Sequence, residues 1–370
     1  MIPVFEPDVG EDEALAVADA IRRGEISGTY GPSLDRFERE LAARCGAKHG
    51  IAVTSGTAAL HVAAAALDLR PGDEVIVSAS TNIATALGVV HAGATPVPVD
   101  SEPVTWNLDL DQVERAVTPR TRAIFPVHLF GHPVDMDRLN AIARTHNLRV
   151  VEDAAEALGA RVRDRPVGAL GDMGCLSFYA NKHITTGEGG MVVTNDDALA
   201  ERLRLLRNLG FTTPRFRHEV AGFNFRMTAY TAAMGLTQLG KLDPVIAAKR
   251  GLADVYQRHL SDIPGLQLPV ELPWAFHVYW MYAVVVDPVV FGVDRDTLAA
   301  RLRARGVDTR TFFCPMNEQP CFAHLERTRA QACPVAERIW RQGLYLPSST
   351  RLSEADVAGI ADAVRKSRTG

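Results

Sequence analysis

The segment Arg149-Val150-Val151-Glu152-Asp153-Ala154-Ala155-Glu156 reads as a β-branched strand that ends in two acids. Such a strand sets a carboxylate at the carboxyl-terminal mouth of a parallel sheet, where open α/β sheets bind their ligands. Ser177-Phe178-Tyr179-Ala180-Asn181-Lys182 follows a second strand, and the run Ile184 to Gly190 behind it is too rich in glycine for a helix. A lysine held beside a sheet mouth among small residues loses solvation and serves as an amine nucleophile toward a carbonyl. Taken singly, Asp153 is as well explained as a helix cap, and Lys182 as a solvated surface residue. Taken together, 29 residues apart on successive sheet edges, they suit the two ends of a pyridine-ring aldehyde. The acid would meet the ring nitrogen and the amine the carbonyl carbon.

A phosphate on that ring would need a third element. Val53-Thr54-Ser55-Gly56-Thr57-Ala58-Ala59-Leu60 supplies it as a strand, a turn of small residues and a helix start. Backbone N–H groups at a helix N-terminus, with the Ser55 and Thr57 hydroxyls, make an anion seat. Alone, Ser-Gly-Thr is an ordinary N-cap. In order with Asp153 and Lys182 it predicts a site for pyridoxal 5'-phosphate.

The elements that must hold these residues form an alternating series. Strands are expected at Gly50–Val53, Glu74–Val77, Thr95–Val99, Arg122–Val127, Arg149–Glu152, Met173–Phe178 and Met191–Thr194, with amphipathic helices between, such as Thr57–Leu67 and Asp135–Thr145. Helices at Thr228–Leu239 and Pro244–His259 follow, then a strand at Val278–Val286, a helix at Arg295–Arg305, a strand at Val307–Thr311 and a last helix from Glu354. The pattern implies a large cofactor-binding domain over residues 1–245 and a small C-terminal domain over residues 246–370. A net charge of -4 over 370 residues gives no nucleic-acid footprint. No segment is apolar enough to span a bilayer, so a cytoplasmic location is expected. The five cysteines are scattered and odd in number, and the histidines show no ligand spacing, so neither a disulfide framework nor a metal site is expected.

Over nearly its whole length the chain resembles the DegT/DnrJ/EryC1/StrS family of sugar aminotransferases, and within it the perosamine-synthase-like branch. The likeness is carried by Ser55 to Leu60, Ala92 to Val97, Pro126 to His132, Glu152 to Glu156, Ser177 to Gly190 and Gly222 to Thr228. The resemblance implies an α/β fold of the aspartate-aminotransferase type (fold type I), with a mostly parallel central sheet, helices on both faces and a smaller C-terminal α/β domain. It implies Lys182 as the lysine that carries pyridoxal 5'-phosphate through a Schiff base, Asp153 at the pyridinium nitrogen and Glu156 near the phenolic oxygen, where relatives often have Gln. Phosphate contacts would come from Ser55, Gly56, Thr57 and Ser177, joined across a homodimer interface by Asn224 or Arg226 of the partner subunit. Tyr30, His183 and Phe313 would meet the substrate. Asn82 stands where the family usually places a ring that stacks on the cofactor, and Asn317 where relatives often have His.

The reaction so implied moves an amino group from L-glutamate to a nucleotide-linked keto-6-deoxysugar, a 4-keto substrate ahead of a 3-keto one, with pyridoxamine 5'-phosphate between the half-reactions. A sugar 3-dehydratase of the same family would carry His in place of Lys182. A regulatory homologue that binds without turnover has no need of an intact Lys182 and Asp153 pair. A sulfur-amino-acid lyase would lack the Pro126 to His132 and Gly222 to Thr228 segments.

Overall fold

The computed structural model describes residues 1–29, 31–214 and 216–368. The expected strand series forms one seven-stranded sheet: β1 (His49–Val53), β2 (Glu74–Ser78), β3 (Thr95–Val99), β4 (Thr121–Phe125), β5 (Arg149–Asp153), β6 (Met173–Ser177) and β7 (Gly190–Thr194). Their spatial order is β1-β7-β6-β5-β4-β2-β3. All neighbours run parallel except β7, which is antiparallel to both β1 and β6. The carboxyl ends of β1, β2, β4, β5 and β6 therefore share one edge with the start of β7. Since the loop from β6 to β7 stays on that edge, Lys182 is brought to the same mouth as Asp153.

These strands are apolar on both faces because helices cover both. Alternate residues divide between two cores. Ala52, Ile76 and Val150 point to one that holds Phe37, Leu41, Leu139 and Ile142. Ile51, Val53, Val75, Val77 and Val151 point to the other, with Ala59, Val62, Val89 and Leu203. Each Val, Leu or Ile side chain among them contributes about 1.5–3 kcal/mol on burial. Helix Gly56–Ala66 begins directly at the end of β1, and the expected cap at Asp135 is present, with the Arg138 N–H donating to Asp135 Oδ1 at 3.3 Å.

Helix Leu242–Leu260 leads to a second sheet of four strands, in the order Leu266–Gln267, Tyr282–Val286, Gly343–Leu346, Arg310–Thr311. Two of these strands are shorter than expected. The first four residues of Val278–Val286 leave the ladder, because the Val278 N–H donates to Gly131 O at 3.2 Å and the Trp280 N–H to Phe130 O at 2.8 Å. Val307 pairs with Ile2 instead of continuing into Arg310–Thr311. One face of this sheet, through Ala283 and Val285, packs on Phe130, Trp280 and Phe312 and so backs the mouth of the first sheet. Among the described residues, no helix is long and apolar enough to cross a membrane.

Candidate active site

Asp153 ends β5 and is 4% exposed. Its Oδ2 accepts the Thr85 hydroxyl at 2.7 Å and its Oδ1 the Ala155 N–H at 3.1 Å. The Thr81 hydroxyl lies 3.0 Å from that of Thr85. With Thr85 committed to the carboxylate, Thr81 is the donor in this pair, and the two form a short relay. Burial pushes the Asp153 carboxyl above its ordinary pKa, opposed by Thr85, the Ala155 amide and the charge of Lys182.

Lys182 faces Asp153 and Glu156 in the same cavity, of about 260 Å³. Desolvation lowers its amine pKa, while the charges of Glu156 and Asp153 work against that shift. Its Nζ lies 3.8 Å from the ring centroid of Trp280. It makes no salt bridge among the described residues, which leaves the amine available for chemistry. Glu156 accepts the Phe130 N–H at 2.8 Å. Burial pushes its carboxyl up to about 7, with Lys182 and the Phe130 amide opposing and Asp153 reinforcing.

The third corner is the start of helix Gly56–Ala66. Ser55 is its N-cap, its Oγ accepting the Ala58 N–H at 3.1 Å. The amides of Gly56 and Thr57 have no partner among the described residues, as expected of the first turn of a helix aimed at an anion. Gly56 is dictated by space. A Cβ there would lie 2.7 Å from the Cβ of Ser177, so only glycine lets β1 and β6 ends close around one small seat.

Behind these residues, the Val134 N–H donates to His128 Nδ1 at 3.0 Å, which leaves Nε2–H to donate to Glu152 Oε2 at 3.0 Å. Glu152 also accepts the amides of Gly168, Leu170 and Gly171 at 2.9, 2.7 and 2.8 Å. This buried network fixes the end of β5 and hence Asp153.

Of the residues singled out from the sequence, Ser55, Gly56, Thr57, Asn82, Asp153, Glu156, Ser177, Lys182 and Phe313 line this one cavity. His183 does not. It is 4% exposed, its Nε2 donates to Val278 O at 3.2 Å, and burial pushes it down to about 3, so it is a neutral fold-supporting residue behind the site. Asn224 and Arg226 also lie outside this chain's own cavity. Arg226 donates to Asn208 Oδ1 at 2.7 Å and its backbone bridges Val53, while Asn224 is exposed. Tyr30 lies outside the described residues. Asn317 is buried away from the cavity and donates to Gln331 O and Glu337 Oε1, both at 3.2 Å. Trp280, just ahead of the strand Tyr282–Val286, and Tyr345, within the second sheet, complete one wall, and Thr85 supports Asp153; none of the three was identified from sequence. Their only sequence signal is an aromatic or hydroxyl type within an ordinary element.

The donor set fits pyridoxal 5'-phosphate. A buried acid with no cation in hydrogen-bond reach matches a protonated ring nitrogen, an unpaired amine matches the aldehyde carbon, and two open helix amides match the phosphate. The model of the DegT/DnrJ/EryC1/StrS aminotransferase family matches residues 7–365. The GDP-perosamine synthase of Caulobacter vibrioides is 44% identical over 365 residues, covering 98% of this chain and 97% of that one. The dTDP-3-amino-3,4,6-trideoxy-alpha-D-glucose transaminase of Streptomyces venezuelae is 42% identical over 370 residues, covering 99% and 96%. The crystal structure of S. venezuelae DesV in complex with a ketimine intermediate superposes with a TM-score of 0.90 at 41% identity, over 97% of this chain and 94% of that one.

Proposed function

Because the chain belongs to the DegT/DnrJ/EryC1/StrS aminotransferase family, we propose that it transfers the amino group of L-glutamate to a nucleotide-linked keto-6-deoxysugar, with Lys182 and Asp153 as its catalytic residues. The family and its structural neighbours are pyridoxal-phosphate-dependent aminotransferases. The observation that carries the reading is the convergence of Asp153, Lys182 and the Ser55–Thr57 helix start on one cavity.

The cofactor, when bound, supplies an electron sink for the carbanion. Ser55, Gly56, Thr57 and Ser177 would hold its phosphate, Asp153 its ring nitrogen and Glu156 its phenolic oxygen. Thr85 and the Ala155 amide keep Asp153 aligned and favour its charged form. Lys182, with its amine pKa lowered by burial, takes a proton from the amino donor's Cα as general base and returns one as general acid. The wall of Trp280, Phe313 and Tyr345 keeps water from that transfer and offers an apolar face to the sugar.

A 4-keto sugar is favoured because the relative at 44% identity is named a GDP-perosamine synthase, and a 3-keto sugar follows from the 3-amino transaminase at 42%. The partner subunit's Asn224 and the partner subunit's Arg226 would complete each site in a homodimer, since within one chain both side chains lie outside the cavity. A cytoplasmic setting suits five cysteines that are all unpaired.

The test is absorbance. Protein as isolated should be yellow, bleached by L-glutamate and restored by 2-oxoglutarate. The glutamate-treated form should then aminate members of a panel of GDP- and dTDP-linked 3-keto and 4-keto-6-deoxyhexoses, scored by mass. Colour that does not respond to glutamate rejects the proposed donor, and a panel with no amine gain rejects the sugar.

A further inference from the structure

Trp280 stands out among the cavity residues because it is held from several sides and yet offers the cavity only a ring face. Its indole N–H donates to Asn181 O at 2.7 Å. Its main-chain N–H donates to Phe130 O at 2.8 Å. Its carbonyl accepts Lys249 Nζ at 2.9 Å. Lys249 also donates to Ser348 O and lies 4.8 Å from the ring centroid of Phe5. It is 2% exposed and has no carboxylate partner among the described residues, so this buried amine is committed to holding Trp280 and the end of Gly343–Leu346. Phe130, which does not line the cavity, stacks on the indole, with centroids 6.3 Å apart and planes 16° off parallel.

The backbone beneath is strained to allow this. Phe130 has φ 53° and Gly131 φ 100°. A Cβ at Gly131 would lie 3.0 Å from the amides of Trp280 and Tyr279. Strain of this kind persists where surrounding contacts over-determine it, and it gathers at functional sites. With its N–H already spent on Asn181, the indole has no hydrogen bond to give a ligand. What remains is the negative face of the π system, and Lys182 Nζ lies over it at 3.8 Å.

We propose that Trp280 is a positioning residue that seats the free ammonium of Lys182 on its indole face, so that the amine returns to one place whenever it is not bound to the cofactor. The proposal rests on Lys182 being the cofactor-bearing lysine. An unseated four-carbon side chain would sample many rotamers in the cavity, and each would have to be lost again before proton transfer. Asp153 and Glu156 also attract the ammonium, His183 is neutral behind it, and Glu188 and Tyr345 line the same space. The acids pull the amine toward the cofactor's position. The indole supplies the opposing contact that fixes where it rests.

The test reads the amine itself in the full-length, cofactor-free protein. Cyanate carbamylates only the neutral amine, so the rate at Lys182, followed by peptide mass spectrometry across pH, gives its titration midpoint. Trp280→Leu keeps an apolar wall but removes the π face, and the midpoint should fall by about half a unit to one and a half units. Trp280→Phe should fall by less. If the ring only excludes water, Trp280→Leu leaves the midpoint in place and Trp280→Ala raises it, and that pattern overturns the proposal. Circular dichroism verifies each fold. Should Trp280→Leu not fold, Trp280→Phe decides, with an unmoved midpoint counting as refutation. No cofactor enters the measurement, so a failure here leaves the aminotransferase reading to stand or fall on its own absorbance test.

Discussion

The Thr85 hydroxyl donates to Asp153 Oδ2 across 2.7 Å, tying the first turn of one helix to the end of a strand 68 residues further along the chain. Asp153 is buried and its pKa is raised, and this hydrogen bond is the largest influence that draws the carboxyl back toward ionisation. It accepts no other side-chain hydrogen bond among the described residues.

Thr85→Val should therefore raise the Asp153 pKa further. An ionised acid is lost as pH falls, so a higher pKa moves that loss to higher pH. In single-turnover measurements of the glutamate half-reaction, the acidic limb should shift up by roughly one to two pH units, the worth of a hydrogen bond to a charged group. Thr85→Ser should stay near the wild type. A Val profile that overlays the wild type would remove Thr85 from this role.

Glu156 makes a separate claim on pH. Its folded pKa of about 7 stands above the ordinary 4.5, so the folded cofactor-free protein binds more protons than the unfolded chain between those values. Stability should accordingly fall as pH rises from 4.5 through 7, by at most about 3 kcal/mol from this group. Glu156→Gln has no such slope and still accepts the Phe130 N–H. In urea unfolding at a series of pH values, the stability of the Gln variant relative to wild type should grow across that window and level off above it. Parallel curves would mean that Glu156 is ionised throughout.

Much of this site was legible in the sequence because its parts are local. Strands buried on both faces announce themselves as β-branched runs, and Asp153, Lys182 and Ser55–Thr57 each sit within a few residues of such a run. Trp280 was not legible. It lies in what reads as the strand Val278–Val286, and it leaves the ladder because its amide finds Phe130 O, 150 residues away in the chain. Thr85 is one small residue in an apolar helix, with no period to mark it. His183, next to Lys182, looked like a substrate contact, but the β6–β7 loop turns its ring into the protein toward Val278. Side-chain direction inside an irregular loop is set by packing, which a pattern of residue types does not encode.

The Gly56 seat tests the anion site without relying on charge. Gly56→Ala places a Cβ 2.7 Å from the Ser177 Cβ and 3.0 Å from its Oγ, and should cost about 1–3 kcal/mol of stability as an overpacked contact. It should also speed cofactor loss on dialysis, since the β1 and β6 ends can no longer close. Ser177→Gly removes both offending atoms, leaving only its Cα at an ordinary 3.4 Å. The double variant should recover stability relative to Gly56→Ala alone, with a coupling of about 1 kcal/mol or more. Additive effects would show that the clash is relieved elsewhere.

Asn82 sits exposed on the lip of the cavity, where its Oδ1 accepts the Ala84 N–H at 3.0 Å and satisfies the start of helix Ala84–His91. Asn82→Phe removes that acceptor and adds a ring, and the two consequences separate. Loss of that hydrogen bond costs about 0.5–1.5 kcal/mol, which should lower the thermal midpoint of the cofactor-free protein by a degree or two. A ring over the cofactor face adds about 0.5–1.5 kcal/mol to its retention, up to roughly tenfold in affinity. Asn82→Ala loses the acceptor and gains no ring, so it isolates the first effect. Cofactor release on dialysis should run slowest in the Phe variant and fastest in the Ala variant, while both melt below the wild type. The keto-sugar half-reaction should slow in the Phe variant, because the ring fills space in the cavity that Trp280 and Phe313 also line. Equal cofactor release from the Phe and Ala variants would mean that residue 82 faces solvent rather than the cofactor, and that its amide serves the helix alone.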